Sequence, residues 1–459
     1  MRTLKTVTLV LAVLIIVSAI SCKRTVECNC SDACADNDAS SDADTDTDTD
    51  NDTDTDTDTD SDTDTDVDAD ADADADASGD VDADADADAD VEPYRCDLGG
   101  KCDDEIDCTD DLCRPDAGTA DDAGCVYIPE DDNCGDFFIC KSDAGCIRDY
   151  VYVDCNLAKS GSGTELDPYS TITEAINNLE PDSRKSVMVF ESYCGDFFVM
   201  KGKKVRIEGE TITTSMGHIF LDGGTLELET MSVDFGSGDG IRCENFAVCM
   251  LNNVHVHDNS GTGVNVSNSS ADIYGSHVYG NDKGIAADES TVNIRRCRIH
   301  HNEGGGMSLV NSKYEVENCI IHDNGNDDKH KASAFGGVYL KWPQSGSYFR
   351  FNTVTDNETS HGYGGGIMCD SVSIPVSNSI LWCNALPDQN GGCILDNCIS
   401  QSDGDDNPLL DQTERLTDAS VSAIDQGNNA DAPAVDFDGE SRPWPAGGKV
   451  DIGADEYHP

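Results

Sequence analysis

Between residues 226 and 384 apolar and polar positions alternate in short runs, as in Val254-His-Val256 and Val264-Asn-Val266, and the runs are separated by turn residues. Period-two alternation gives a strand one face for a core and one for water. The runs also recur. An aliphatic residue, two polar residues and Asn return as Val256 to Asn259, Val278 to Asn281, Ile299 to Asn302, Ile321 to Asn324, Val354 to Asn357 and Leu381 to Asn384, in steps of 22, 21, 22, 33 and 27 residues. A second mark, Gly then an aliphatic residue, keeps the same register at Gly240-Ile241, Gly263-Val264, Gly284-Ile285, Gly306-Met307, Gly337-Val338 and Gly366-Ile367. No helical period accompanies it. Short strands joined by tight turns and repeated about every 22 residues predict a solenoid whose strands pair in parallel from coil to coil. The two long steps read as loops inserted into single coils. Asn at a constant turn position tolerates left-handed backbone and can stack its amides in a ladder.

Ahead of the repeats the pattern changes twice. Val7 to Ile20 is an apolar run behind Arg2 and Lys5, too short for the roughly 20 residues of a membrane span and suited to an export signal over 1–21. Ala19-Ile20-Ser21-Cys22 resembles the bacterial lipoprotein signal, which implies lipidation of Cys22 and, with Lys23 next, residence at the outer membrane or cell surface. From Ser41 to Asp90 the chain is Thr-Asp and then Ala-Asp alternation with no apolar face. Dense like charge keeps such a stretch from folding, so 22–92 is expected to be a lipid-anchored disordered tether and at most a weak sponge for Ca2+. The chain of 459 residues holds 91 acidic and 29 basic side chains. None of its three parts, 31–92, 93–150 and 151–459, is basic, which argues against nucleic acid as a partner and against a charge-driven hold on anionic lipid.

In an exported chain the cysteines should be mostly paired. Residues 93–150 contain Cys96, Cys102, Cys108, Cys113, Cys125, Cys134, Cys140 and Cys146 among few apolar residues, so disulfides must supply the framework of a small module. The absence of paired C-x2-C units there disfavours zinc. The run Cys102 to Cys113, with Gly124-Cys125, resembles Cys-rich repeats of bacterial surface proteins, which implies a spacer or binding module. Cys297 and Cys319 occupy equivalent inward positions one coil apart and form either a cross-strand disulfide or a buried thiol pair. Cys243/Cys249 and Cys393/Cys398 are expected to staple local turns.

The spacing, the Asn positions and the Gly-aliphatic pairs of 151–400 resemble right-handed parallel β-helices of the pectate-lyase-like class. Gly161-Ser-Gly163 through Pro168 to Ile172-Thr-Glu-Ala-Ile176 is similar to the entry of such domains, where a short helix caps the first coil. Ala423-Ile-Asp425, Asp436-Phe-Asp438-Gly439 through Arg442-Pro443, and Asp451-Ile-Gly453 through Glu456 are similar to the segment that closes them, here 401–459. The resemblance implies an all-β fold and surface residence. It leaves activity open, since the class spans lyases, hydrolases, epimerases and adhesins.

One outward column reads His257, Tyr279, His300, His322, Thr355, and a neighbouring one His255, His277, Arg298, Ile320. Both are expected on one exposed face, serving as a glycan groove, a metal site or plain solvated surface. His257 and His300 stand two coils apart, about 9–10 Å, too far to share an ion; His300 and His322 with Asp323 are near enough. As a lyase the chain would use Arg298 or His300 as base, with Asp258 and Asp323 on calcium. Asp436, Asp438 and Glu440 have oxygen-ligand spacing for Ca2+, but Gly439 and Arg442-Pro443 favour a closing turn. The expected function is a surface lipoprotein whose β-helix binds glycan or protein. The rival is a calcium-assisted polysaccharide lyase or glycoside hydrolase acting at 255–323, and a passive spacer is a third reading.

Overall fold

The computed structural model describes residues 101–459 apart from 181–182, 196–197, 327–334, 361–363 and 386. The expected signal peptide, Cys22, the acidic tether and Cys96 lie outside the described residues. From Tyr150–Val153 to Ile399–Ser400 the strands join one continuous parallel system of 26 strands, wound as a right-handed parallel β-helix. Pairing is in register from coil to coil. His255 to His257 face His277–Tyr279, then Arg298–His300, Ile320–His322, Thr353–Thr355 and Ile380–Trp382. The alternation dictates what is inside: Val256, Val278, Ile299, Ile321, Val354 and Leu381 stack with no exposure at all. Each such side chain contributes about 1.5–3 kcal/mol relative to an exposed one.

The corners need residues that accept positive φ, and Asp258, His301, Asp323, Asp356 and Cys383 all lie between 51° and 54° at one of them. Just past this corner the Asn ladder forms. The amide Nδ2 of each rung donates to Oδ1 of the next, Asn259 to Asn281 at 3.0 Å, Asn281 to Asn302 at 3.1 Å, Asn302 to Asn324 at 2.9 Å, Asn324 to Asn357 at 3.0 Å and Asn357 to Asn384 at 2.9 Å. Asn384 ends the row by donating to Asp388 Oδ1. The 33-residue step is thus absorbed outside the ladder.

A second corner carries a mixed ladder of Ser276, Cys297, Cys319, Asn352, Ser379 and Cys398, whose rungs donate back to carbonyls, while Ser276, Asn352, Ser379 and Cys398 also accept an N–H of the coil before. This settles the two alternatives for Cys297 and Cys319. Both are buried free thiols, each pointing its S–H at main-chain carbonyls at 3.3 Å as a serine would. Burial, and then Cys297 alongside, pushes the Cys319 thiol well up. The expected Cys393–Cys398 staple is not formed. Cys393 is bonded to Cys369 in the preceding coil, while Cys398 serves the ladder. Stacking makes coil neighbours, not sequence neighbours, the partners. Cys243–Cys249 does join one corner, and Cys155–Cys194 ties the first coils together.

Residues 101–147 form two hairpins, Thr109–Cys113 with Cys125–Pro129 and Ile139–Lys141 with Gly145–Ile147. Disulfides Cys102–Cys125, Cys108–Cys140 and Cys134–Cys146 replace a core, and Cys113 is disulfide-bonded too. The module sits against the first coils, where Arg184 donates to Asp131 O at 2.7 Å and Lys204 lies over the Phe137 ring. The helix Ile172–Asn178, N-capped by Thr171, buries Ile172, Ala175 and Ile176 over the open end of the stack.

Residues 401–459 do more than close the last coil. They lie along the outer side of the short strands, and Leu416, Ala423 and Ile452 form a second core with Ile380 and Ile399. Arg296 Nε donates to Phe437 O, Asn318 Nδ2 to Val435 O and Asn378 Nδ2 to Asn428 O, so this cover runs back over successive coils. Within the cover Arg442 pairs with Glu456 at 3.0 Å with neither side chain exposed, and Arg442 Nη1 ties the pair to the coils by donating to Asn318 Oδ1 at 3.1 Å.

Candidate functional site

The two outward columns are where the alternation places them, but they are not one uniformly exposed face. Ile320, Thr353, Thr355, Ile380 and Ile399 are buried under the cover, and His322 is 9% exposed. The half from His255 to His300 lies outside the cover and is half-buried. There the coil spacing stacks aromatic rings face to face. His257 lies on Tyr279 with centroids 4.7 Å apart, Tyr279 on His300 at 4.9 Å and His300 on His322 at 5.0 Å, the planes within 12°. Beside them His255 stacks on His277 at 4.6 Å. Offset or parallel rings at this separation attract, and the stack presents ring edges to solvent.

Burial and the adjoining cationic groups keep His255 and His300 neutral. Burial lowers His255 to about 4, with His257 adding to it, and burial followed by His322, His301 and Arg298 holds His300 well below the usual range. His322 is lowered by burial against the opposing pull of Asp323. Its tautomer follows from its neighbours. Arg298 Nη1, which can only donate, lies 3.3 Å from Nε2, so Nδ1 carries the proton and donates to Asp323 Oδ2 at 2.7 Å.

Arg298 also donates to Thr413 O at 2.9 Å and lies over the Phe437 ring. Its guanidinium therefore anchors the cover, an unfavourable setting for a general base. His300 Nδ1 meets His301 Nδ1 at 2.8 Å, one of the two supplying the hydrogen. Because His300 and His322 stack in nearly parallel planes, their in-plane lone pairs do not converge on a shared ion. Asp258 binds His257 Nδ1 at 2.9 Å and stands three coils from Asp323, so these two carboxylates do not meet on one calcium.

Among the described residues, ligand atoms converge in threes only at Cys108, Cys134 and Cys140, whose sulfurs are in disulfides, and at Asp436, Asp438 and Asp455. The second set includes two of the three residues expected for Ca2+, with Asp455 in place of Glu440. Its oxygens are largely engaged. Asp436 accepts from Glu440 N and Glu456 N, Asp438 holds Arg415 through two bonds of 2.6 and 2.8 Å, and Asp455 accepts from Leu416 N. That geometry is a closing turn.

Sequence reasoning missed the seam between coil and cover. Thr355 Oγ1 donates to Glu414 Oε2 at 2.8 Å, and Glu414 holds a φ of 63° to reach it. Burial pushes Glu414 up to about 7, against the Thr355 bond and with Asp356 and Asp323 adding to the rise. Burial, then Asp323 and Glu358, pushes Asp356 up to about 7 as well. A cavity of about 320 Å³ opens alongside, lined by His301, Glu303, Asp323, Gly325, Asn326 and Glu358. Asp356 was legible as the residue after the Thr355 rung; Glu414 had no repeat to place it.

Residues 217–405 match the family model described as right handed beta helix region. No curated protein matches the chain. A solved pectate lyase, Pel9A, aligns over 68% of this chain and 97% of its own at 14% identity, with a TM-score of 0.43. No helix among the described residues is long and apolar enough to cross a membrane.

Proposed function

We propose that this chain is an exported surface lipoprotein, anchored through Cys22 and carried on its acidic tether, whose β-helix is a binding module for glycan or a surface protein. The observation that carries the reading is the half-open ring column. His255, His257, His277, Tyr279 and His300 repeat polar ring edges at 4.6–4.9 Å along the axis, and the cover stops short of them. A row of equally spaced donors and acceptors suits a linear repeating ligand laid along the coils. The test is a glycan array with the intact mature protein, with and without Ca2+. Binding lost on replacing His257 and Tyr279 by Ala supports the reading, and binding unchanged by both refutes the placement.

A second reading, glycoside hydrolysis, draws on the seam. Two carboxyls near neutrality, Asp356 and Glu414, stand beside Asp323, which the His322 hydrogen bond pulls below the usual range despite its burial. Carboxyls pushed apart in this way match the division into acid and base that glycosidases use. Release of reducing ends from an array-positive glycan, abolished by Glu414→Gln, separates this reading from plain binding.

A further inference from the structure

The two ends of the solenoid are finished differently. At the first coil the outer edge of Tyr150–Val153 is filled by the segment that follows it. Tyr152 N donates to Gly163 O at 3.0 Å, Tyr169 N returns a bond to Tyr152 O at 2.9 Å, and the helix Ile172–Asn178 lies over the core. At the last coil Gln389–Asp396 pairs on one side alone, with Ile367–Ser377. Ser402 and Asp405 turn back only as far as the main-chain N–H groups of Asp388 and Ser400. Among the described residues no strand pairs with the outer edge of Cys393–Asp396, so its outward N–H and C=O groups are a template for another strand.

The core is open at the same place. Ile374 and Val376 are fully buried, whereas Cys393 and Leu395, in register with them one coil on, are only partly covered, as is Cys398. Ile394, pointing outward between them, is 53% exposed. Proteins ordinarily protect such an edge with Lys, Pro or an inward-pointing charge. From Gln389 to Ser400 there is no Lys, Arg or Pro, and Asp396 is the only charged residue. In a chain with 91 acidic and 29 basic side chains, this is a surface on which two copies meet with little repulsion.

We propose that this edge is a self-association surface, at which the last coil of one copy pairs with the last coil of a second. A twofold axis across the edge sets Cys393–Asp396 antiparallel to the same segment of the second copy, which continues the ladder and covers both open cores. The opposite end is filled and cannot join in, so a head-to-tail filament is blocked and assembly stops at two. Because the Cys-rich module lies against the first coils, the dimer carries its two modules at its far ends. Chains held on facing surfaces are joined in this way, and the ring column on the side of each solenoid is left uncovered.

The test is sedimentation velocity of the mature chain carrying Cys22→Ser, which removes any lipid, over about 1 to 100 µM protein. The expected result is a reversible monomer–dimer equilibrium whose dissociation constant rises at least roughly tenfold in Ile394→Lys. Phe246→Lys makes the same change at a 79% exposed position on the side of the coils and should leave the dimer intact. Hydrogen exchange of the unsubstituted strand gives a second readout that does not depend on a variant folding: amides within 389–396 should gain protection as the concentration rises, and those of 150–153 should not. A monomer throughout the range, a dimer indifferent to Ile394→Lys, or dimerisation without added protection at 389–396 overturns the proposal.

Discussion

Replacing Asn302 by Ala removes one rung from the middle of the ladder, and the structure sets the size of the loss. Asn302 is fully buried. Its Nδ2 donates to Val278 O at 3.0 Å, to His300 O at 3.0 Å and to Asn324 Oδ1 at 2.9 Å, and its Oδ1 accepts from Asn281 N and Asn281 Nδ2 at 3.1 Å. Some of these partners keep other bonds. Asn281 Nδ2 still reaches Val256 O and Tyr279 O, and Asn324 Oδ1 still accepts from Asn302 N. The Asn281 main-chain N–H is left without its acceptor in a site closed to water, and the two carbonyls each lose a donor. At about 1 kcal/mol for each bond lost and about 1–3 for a buried group left unmade, the variant should lose about 3–5 kcal/mol. Asn259, at the end of the row, accepts only from Gly236 N and should lose less on the same change. Urea unfolding followed by circular dichroism, with the m-value compared between variants, provides the assay. A loss below about 1 kcal/mol for Asn302→Ala at unchanged m, or a larger loss at Asn259, would refute the claim that the ladder holds the coils in register.

Four further outcomes follow from the geometry. His255 and His300 have folded pKa values below the ordinary 6.5, so their contribution is present above that pH and is lost as the pH falls through and below it; His300→Gln should flatten the acid limb of the urea midpoint between pH 7 and 5. Glu414 has the opposite sign: its folded pKa of about 7 means stability drains as the pH rises from the ordinary carboxyl range through 7, so Glu414→Gln should raise the melting temperature at pH 8 and change it little at pH 4. Cys319→Ser keeps a donor for Glu317 O and should cost less than about 1.5 kcal/mol, whereas Cys319→Val leaves that carbonyl unmet and should cost more, a ranking that denaturant titration reads directly. Arg442→Met strands Glu456 in a dry interface and should cost about 3–5 kcal/mol, seen as early proteolysis within 401–459 while the coils stay resistant.

The repeated part of this architecture is plain in the chain because each coil repeats the same local demands: an inward aliphatic, a corner of positive φ, an Asn. Val278 and Asn281 can be placed from Val256 and Asn259 without any knowledge of the rest. The cover could not be placed in the same way. Arg296 meets Phe437 from 141 residues away, and nothing periodic in 401–459 states which coils it will cross. A signal was nevertheless present. The outward column that begins His255, His277, Arg298 continues Ile320, Thr353, Ile380, Ile399, and aliphatic residues on a supposedly wet face announce that something lies on them. The disulfides show the same division. Cys243 and Cys249 are close in sequence and in space, but Cys393 finds Cys369 because solenoid neighbours lie a coil apart, and Cys398 had to be recognised as a substitute serine.

Asn324 and Asn357 are joined at the same distance as rungs only 21 or 22 residues apart, although 33 residues separate them. The register of this molecule is therefore counted in rungs and not in residues. A corner that tolerates extra chain without disturbing its hydrogen bond is a place where new sequence can be acquired, lost or exchanged between relatives while the scaffold above and below goes on stacking. Surface novelty and structural continuity are separated within one coil.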